Sequence, residues 1–156
     1  MEVHRQLEKV RDEHDEILQF LIAWEYALER AASDDWDVRC HALEQLREMD
    51  GEIAEISEHC RREEEGIESP FQLYLEPQSL EELRKEHRRL WRLTNDFRRE
   101  LELVTAPRTA DLVALGRDVI AEVRRHVAEE EALLAQIEAG AAAEERVLLQ
   151  YTPSAE

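Results

Sequence analysis

The sequence predicts an all-α protein, an up-down-up-down antiparallel four-helix bundle with a short C-terminal helical extension. Three observations carry that expectation. Only 4 Gly and 4 Pro occur in 156 residues, and β-branched residues are few beside Leu, Ala, Glu and Arg, a mix that favours long helices over sheet. Apolar residues recur at three- and four-residue spacing along most of the chain, the period of a half-buried helix. Three clusters of turn-forming residues cut that pattern into four long pieces. The length suits one domain, and an apolar share of 43% is enough for one core.

The first helix is expected from about Val3 to Ala32, with Leu7, Val10, His14, Ile17, Leu18, Leu21 and Leu28 on its stripe. Ser33-Asp34-Asp35-Trp36-Asp37 ends it and supplies caps for the next. The second helix is read as one piece from about Asp37 to Glu65. Its stripe is Leu43, Leu46, Met49, Ile53, Ile56 and then His59 or Cys60, and Gly66 stands near its C′ position. Gly66 to Pro77 is a longer connection whose apolar residues pack over a bundle end, with room for a helical turn. Ser79-Leu80-Glu81-Glu82 reads as a capping box opening the third helix, striped by Leu80, Leu83, His87, Leu90, Thr94, Phe97 and Leu101. Thr105-Ala106-Pro107-Arg108 breaks it, and Thr109 is the expected cap of the fourth. That helix carries Leu112, Leu115, Val119, Val123, His126, Leu133 and Ile137, with its end expected at Gly140. The domain is thus assigned to residues 1–140. Residues 141–156 form the extension, with Val147, Leu148 and Leu149 in a short helix before a frayed tail from Tyr151.

The charge narrows the function. Lys and Arg number 20 against 38 Asp and Glu, a net charge of −18. Nucleic acid and anionic membrane both demand a basic surface, so neither is an expected partner. No signal-peptide pattern opens the chain and no apolar run approaches the roughly 20 residues of a membrane span. Cys40 and Cys60, about 30 Å apart along one helix, are expected as free thiols, which suits a reducing cytoplasm. Cys60 is read as buried filler that points away from its neighbour His59.

Four of the six histidines lie on these stripes, one per helix: His14, His59, His87 and His126. His59 and His126 each have a glutamate four residues on, Glu63 and Glu130, on the same helical face. In an antiparallel hairpin, residues equidistant from the turn share a height. The midpoints of successive histidines fall at 36.5, 73 and 106.5, each inside a break placed independently from Ser, Asp, Gly and Pro. All four imidazoles are therefore expected at one level of the bundle. Four imidazoles and two carboxylates there are costly to bury without partners. Bound Fe, Mn or Zn would satisfy them, and the set can hold two ions.

The order His14, His59-x-x-x-Glu63, His87, His126-x-x-x-Glu130 resembles the hemerythrin-like, or HHE cation-binding, domain family. Local phrases carry the resemblance too: Asp12-Glu13-His14-Asp15-Glu16-Ile17, His59-Cys60-Arg61-Arg62-Glu63-Glu64-Glu65, Lys85-Glu86-His87 and His126-Val127-Ala128-Glu129-Glu130-Glu131. The resemblance implies a non-haem di-iron centre, oxo- or hydroxo-bridged, inside the bundle. Glu63 and Glu130 would bridge the ions, with His14 and His59 completing one iron and His87 and His126 the other. Glu64 and Glu131, one residue further on, are the alternative carboxylates.

The oxygen carriers of the family have a second histidine on the third helix, one turn from the first; here the positions four either side of His87 are Leu83 and Trp91. More open or water-filled metal positions follow. These suit binding, sensing or reducing O2, peroxide or NO, rather than oxygen storage. Iron storage or donation, as in the iron-cluster repair members, is the alternative function, and a metal-free helical interaction module is a third. Glu13, Glu58, Glu86 and Glu129, each just before a histidine, could orient neighbouring imidazoles or lie in solvent. Trp91 and Tyr26 are expected as core aromatics.

Overall fold

The computed structural model describes residues 2–151; of the tail expected from Tyr151, all but Tyr151 itself lies outside them. The chain runs α1 (Glu2–Ala31), α2 (Trp36–Glu48), α3 (Asp50–Glu65), α4 (Pro70–Tyr74), α5 (Pro77–Leu103) and α6 (Ala110–Tyr151), and no strand occurs among the described residues. Four long helical segments, with α2 and α3 as one broken segment, form a helical bundle. In it α1 packs on α2 and α6, and α5 packs on α3 and α6.

The second helix differs from the single piece expected. It breaks at Met49, whose N–H is shared between the carbonyls of Gln45 (3.1 Å) and Leu46 (3.2 Å), a tightened last turn. Asp50 then opens α3 and is gripped by Nε and Nη2 of Arg98 on α5, at 2.7 and 2.9 Å. The break is thus fastened from across the bundle.

Helix ends follow local chemistry. Asp35 caps α2, accepting from the N–H groups of Asp37 (3.0 Å) and Val38 (3.1 Å). Gly66 ends α3 as expected, in an extended rather than left-handed conformation (φ −66°, ψ 129°). It must be glycine because a Cβ there would run into the Arg62 carbonyl oxygen, to which its own N–H donates at 2.8 Å. The connection after it contains α4, and fully buried Phe71 plugs that end of the bundle.

Two boundaries are corrected. The Ser79 capping box does not open α5, because Pro77 at the first helical position, with its φ already set, starts the helix two residues earlier. Thr109 does stand at the start of α6 as expected, its carbonyl accepting from the Val113 N–H (2.9 Å), while its hydroxyl donates to the Ala31 carbonyl at the end of α1 (2.7 Å). Gly140 does not end α6, which continues unbroken to Tyr151, so the extension is the same helix projecting beyond its last buried residue, Ile137. Nothing crowds Gly140, so its neighbours set its helical conformation.

The main core gathers Leu21, Trp24, Leu28, Leu46, Ile53, Phe97, Leu112 and Val123 between the breaks and the histidine level. A smaller cluster of Leu7, Val10, Phe71, Leu80, Leu83, Leu134 and Ile137 fills the other end. The polar layer sits between the two. The structure replaces two of the expected core aromatics: Trp91 is 57% exposed and Tyr26 61%. The α5 stripe runs Leu83, His87, Leu90, Thr94, Phe97, and Trp91 lies one residue, about 100°, off it. Trp24 is the buried aromatic of α1, edge-on to Phe97 at 4.9 Å. On α6, Leu134 rather than Leu133 is fully buried.

Candidate metal centre

The six residues singled out from the sequence all come together at one level. His14, His59, His87 and His126 are 1–3% exposed, Glu63 2% and Glu130 0%. α1 supplies His14, α3 supplies His59 and Glu63, α5 supplies His87, and α6 supplies His126 and Glu130. The rings of His14 and His59 lie edge-to-face at 5.1 Å, and those of His87 and His126 at 4.8 Å.

Every imidazole turns its Nε2 inward toward the two carboxylates. His59 Nε2 is 3.0 Å from Glu63 and His126 Nε2 is 2.5 Å from Glu130, each one turn along its own helix. His14 Nε2 is 3.8 Å from both Glu63 and Glu130, and His87 Nε2 is 3.7 and 4.0 Å from them. Glu63 and Glu130 thus lie between the two histidine pairs. Burial, and after it the neighbouring Glu130, push the Glu63 carboxyl well above its ordinary range. Burial opposes ionisation of Glu130 as well, but the neighbouring Glu63 and His126 hold it at about 2. Burial drives His87 down to about 4. His14 and His126 are raised despite their burial, chiefly by Glu63 and by Glu130 respectively.

The outward nitrogens find a second ring of carboxylates. His59 Nδ1 meets Glu13 of α1 at 2.6 Å, and His126 Nδ1 meets Glu86 of α5 at 2.9 Å. His14 Nδ1 meets Glu131 of α6 at 2.6 Å, and His87 Nδ1 lies 3.4 Å from Glu64 of α3. Glutamates thus face histidines in a circuit α1 to α3 to α5 to α6 to α1; the steps from Glu13, Glu86 and Glu131 are hydrogen bonds, whereas Glu64 only stands near His87 Nδ1, which forms none. A carboxylate on Nδ1 fixes the tautomer that leaves the Nε2 lone pair free to bind a cation. Of the four glutamates that precede histidines, Glu13 and Glu86 take this role. Glu58 and Glu129 lie in solvent, paired with Arg61 (2.8 Å) and Arg125 (2.5 Å).

Sequence reasoning did not assign Glu64 and Glu131 as orienting groups. Its available signal was the doubled glutamate in both His-x-x-x-Glu-Glu phrases, whose second member points about 100° round the helix.

What the inner atoms lack is as informative as what they meet. Close as His59 and His126 come to the glutamates one turn on, the four Nε2 atoms and all four oxygens of Glu63 and Glu130 are buried without a well-formed hydrogen bond. Buried polar atoms are seldom left so, and eight converging on one spot fit a missing charged partner. Mixed imidazole and carboxylate donors suit Fe, Mn or Zn. Donor atoms of His14, His59, Glu63 and Glu130 all lie within 4.8 Å of one another, and so do donors of Cys60, Glu63, His87 and His126. Cys60 is therefore not the remote filler expected: its sulfur sits beside the second group. Burial and the nearby Glu63 and Glu130 charges raise its thiol well above the usual range.

A helical bundle with an inner layer of histidine and glutamate donors defines a class, the cation-binding helical bundles. The hemerythrin HHE cation-binding domain model matches residues 5–137, and the chain belongs to that family. No curated protein and no solved structure matches it.

Proposed function

We propose that the protein is a hemerythrin-like di-iron protein that binds, senses or reduces a small oxidant, O2, peroxide or NO. His14, His59, His87, His126, Glu63 and Glu130 would hold two iron ions, with both glutamates shared between them. The same donors would accept Mn or Zn. The observation that carries this reading is the set of eight unpartnered inward atoms in one buried layer. An up-down-up-down course, in which residues equidistant from each turn share a height, accounts for their meeting. When bound, the iron pair would supply the electrons and open positions for the oxidant. The chain's own residues do the rest: the outer glutamates hold the imidazoles, and the two apolar clusters on either side exclude bulk water. Clefts along the α1–α3 seam have His59 and Glu63 in their walls, which puts the buried layer one side chain from solvent on that side. No described helix is long and apolar enough to cross a membrane, and the acidic surface supports a role without nucleic acid.

Protein produced with iron should carry about two irons per chain and absorb in the near ultraviolet through an oxygen bridge. Chain that stays metal-free after iron challenge, with unchanged folding, would refute the reading.

One observation favours iron storage or donation as a second reading. The cleft over His59 is lined by Glu13, Glu16, Glu52 and Glu55 with a single cation, Arg62, paired to Glu55 and Glu13, a net negative lining suited to attracting a cation. Rapid iron transfer to an apo-acceptor without consumption of oxidant would select it.

A further inference from the structure

We infer that Cys60 is a seventh donor, a thiolate on the ion held by His87 and His126, which makes the two halves of the centre chemically unequal. The inference rests on the di-metal reading above and deepens it.

The circuit of helices has an internal repeat. His59, Glu63 and Glu64 on α3 correspond to His126, Glu130 and Glu131 on α6, each 67 positions later. By that offset the counterpart of Cys60 is Val127, buried in the same core cluster. One side of the polar layer is therefore lined by a hydrocarbon and the other by sulfur. Filler alone would be served equally by either.

The sulfur stands where a donor is wanted. It shares a 4.8 Å group with one donor each from Glu63, His87 and His126. Sulfur at about 2.3 Å and nitrogen at about 2.0 Å from one tetrahedral ion lie about 3.5 Å apart, so donors already gathered within 4.8 Å need side-chain adjustment of the order of an ångström to close on one ion. The other members point at this spot unpartnered: His87 Nε2, His126 Nε2 and both Glu63 oxygens are buried without hydrogen bonds. His87 is also the imidazole whose outer carboxylate is furthest, at 3.4 Å against 2.6–2.9 Å for the others. On coordination the S–H bond gives way to an S–metal bond and the proton leaves to solvent. Soft thiolate on one ion and only nitrogen and oxygen on the other would give the two positions different metal preferences.

The test uses the full chain loaded with zinc alone and, separately, with cobalt(II) alone. X-ray absorption of the two-zinc protein should show a sulfur shell at about 2.3 Å, near half a sulfur per zinc. The cobalt protein should show a near-ultraviolet sulfur-to-metal band. Both signals should vanish in Cys60→Ser and persist in Cys40→Ser. Two zinc ions with only nitrogen and oxygen neighbours in the unsubstituted chain overturns the Cys60 assignment and leaves the paired-metal reading standing. Loss of the sulfur signal in Cys40→Ser instead also overturns it. A chain that takes up neither metal overturns both readings. The zinc spectrum of the unsubstituted protein decides the matter even where Cys60→Ser fails to fold.

Discussion

Glu13→Gln is the sharpest probe of the outer carboxylate circuit. Glu13 lies 46 residues before His59 and accepts from its Nδ1 at 2.6 Å, with the carboxylate 26% exposed. That bond holds the Glu13 carboxyl below its ordinary range, so the acceptor is charged. A hydrogen bond to a charged group contributes about 1.5–3 kcal/mol and a neutral one about 0.5–1.5 kcal/mol. Glutamine keeps the shape and an accepting oxygen but removes the charge. The difference of the midpoints, about 1.2 kcal/mol, is roughly an eightfold loss of affinity for the ion that His59 holds. Arg62, 3.5 Å from Glu13, keeps its 2.8 Å bond to Glu55, so no cation is stranded. Chelator competition with zinc reads the affinity of each of the two ions. The matched control is Glu58→Gln, which removes the same charge from the residue adjacent to His59 in sequence. Glu58 is 50% exposed and bound to Arg61, so the change there should stay under about twofold. Equal losses in both variants, or none in Glu13→Gln, would refute the circuit.

Two further outcomes are expected. Metal affinity should fall with acidity, starting above the ordinary histidine value of about 6.5, because the raised His14, His126 and Glu63 hold protons that metal must displace. Occupancy measured from pH 8 to pH 4 checks this, and a constant occupancy contradicts it. Gly116→Ala should lower Tm by a few degrees. Its Cβ would meet Leu28 carbons at 2.6 and 2.8 Å and Phe97 Cε2 at 2.9 Å, all in filled core, and overpacking of about 1–3 kcal/mol outweighs a helix gain of about 1 kcal/mol. A raised Tm would mean that Leu28 and Phe97 have slack.

Much of the site was legible before any coordinates. The three midpoints placed four histidines at one height, and the intrahelical step of four put Glu63 and Glu130 on the faces of His59 and His126. Both rest on chain length and helical period alone. The helix ends were legible where one residue decides, as at Gly66 and Asp35. They were misread where two signals competed, as when Pro77 preceded the Ser79 box.

The sequence by itself determined the helical class, the number of long segments and the inner histidine–glutamate layer, because these follow from spacing within a helix. Only the tertiary structure decided which glutamate serves which histidine. Glu13 and Glu58 are equivalent neighbours of histidines on paper, yet one binds His59 and the other binds Arg61 in solvent. It also decided that Leu90 rather than Trp91 faces the core, and that the Cys60 sulfur reaches the His87 side. The physical reason is common to all three. Residues one position apart differ by about 100° on a helix, and how each helix is rotated against its neighbours is set by the packing of the whole core, not by any local stretch of sequence.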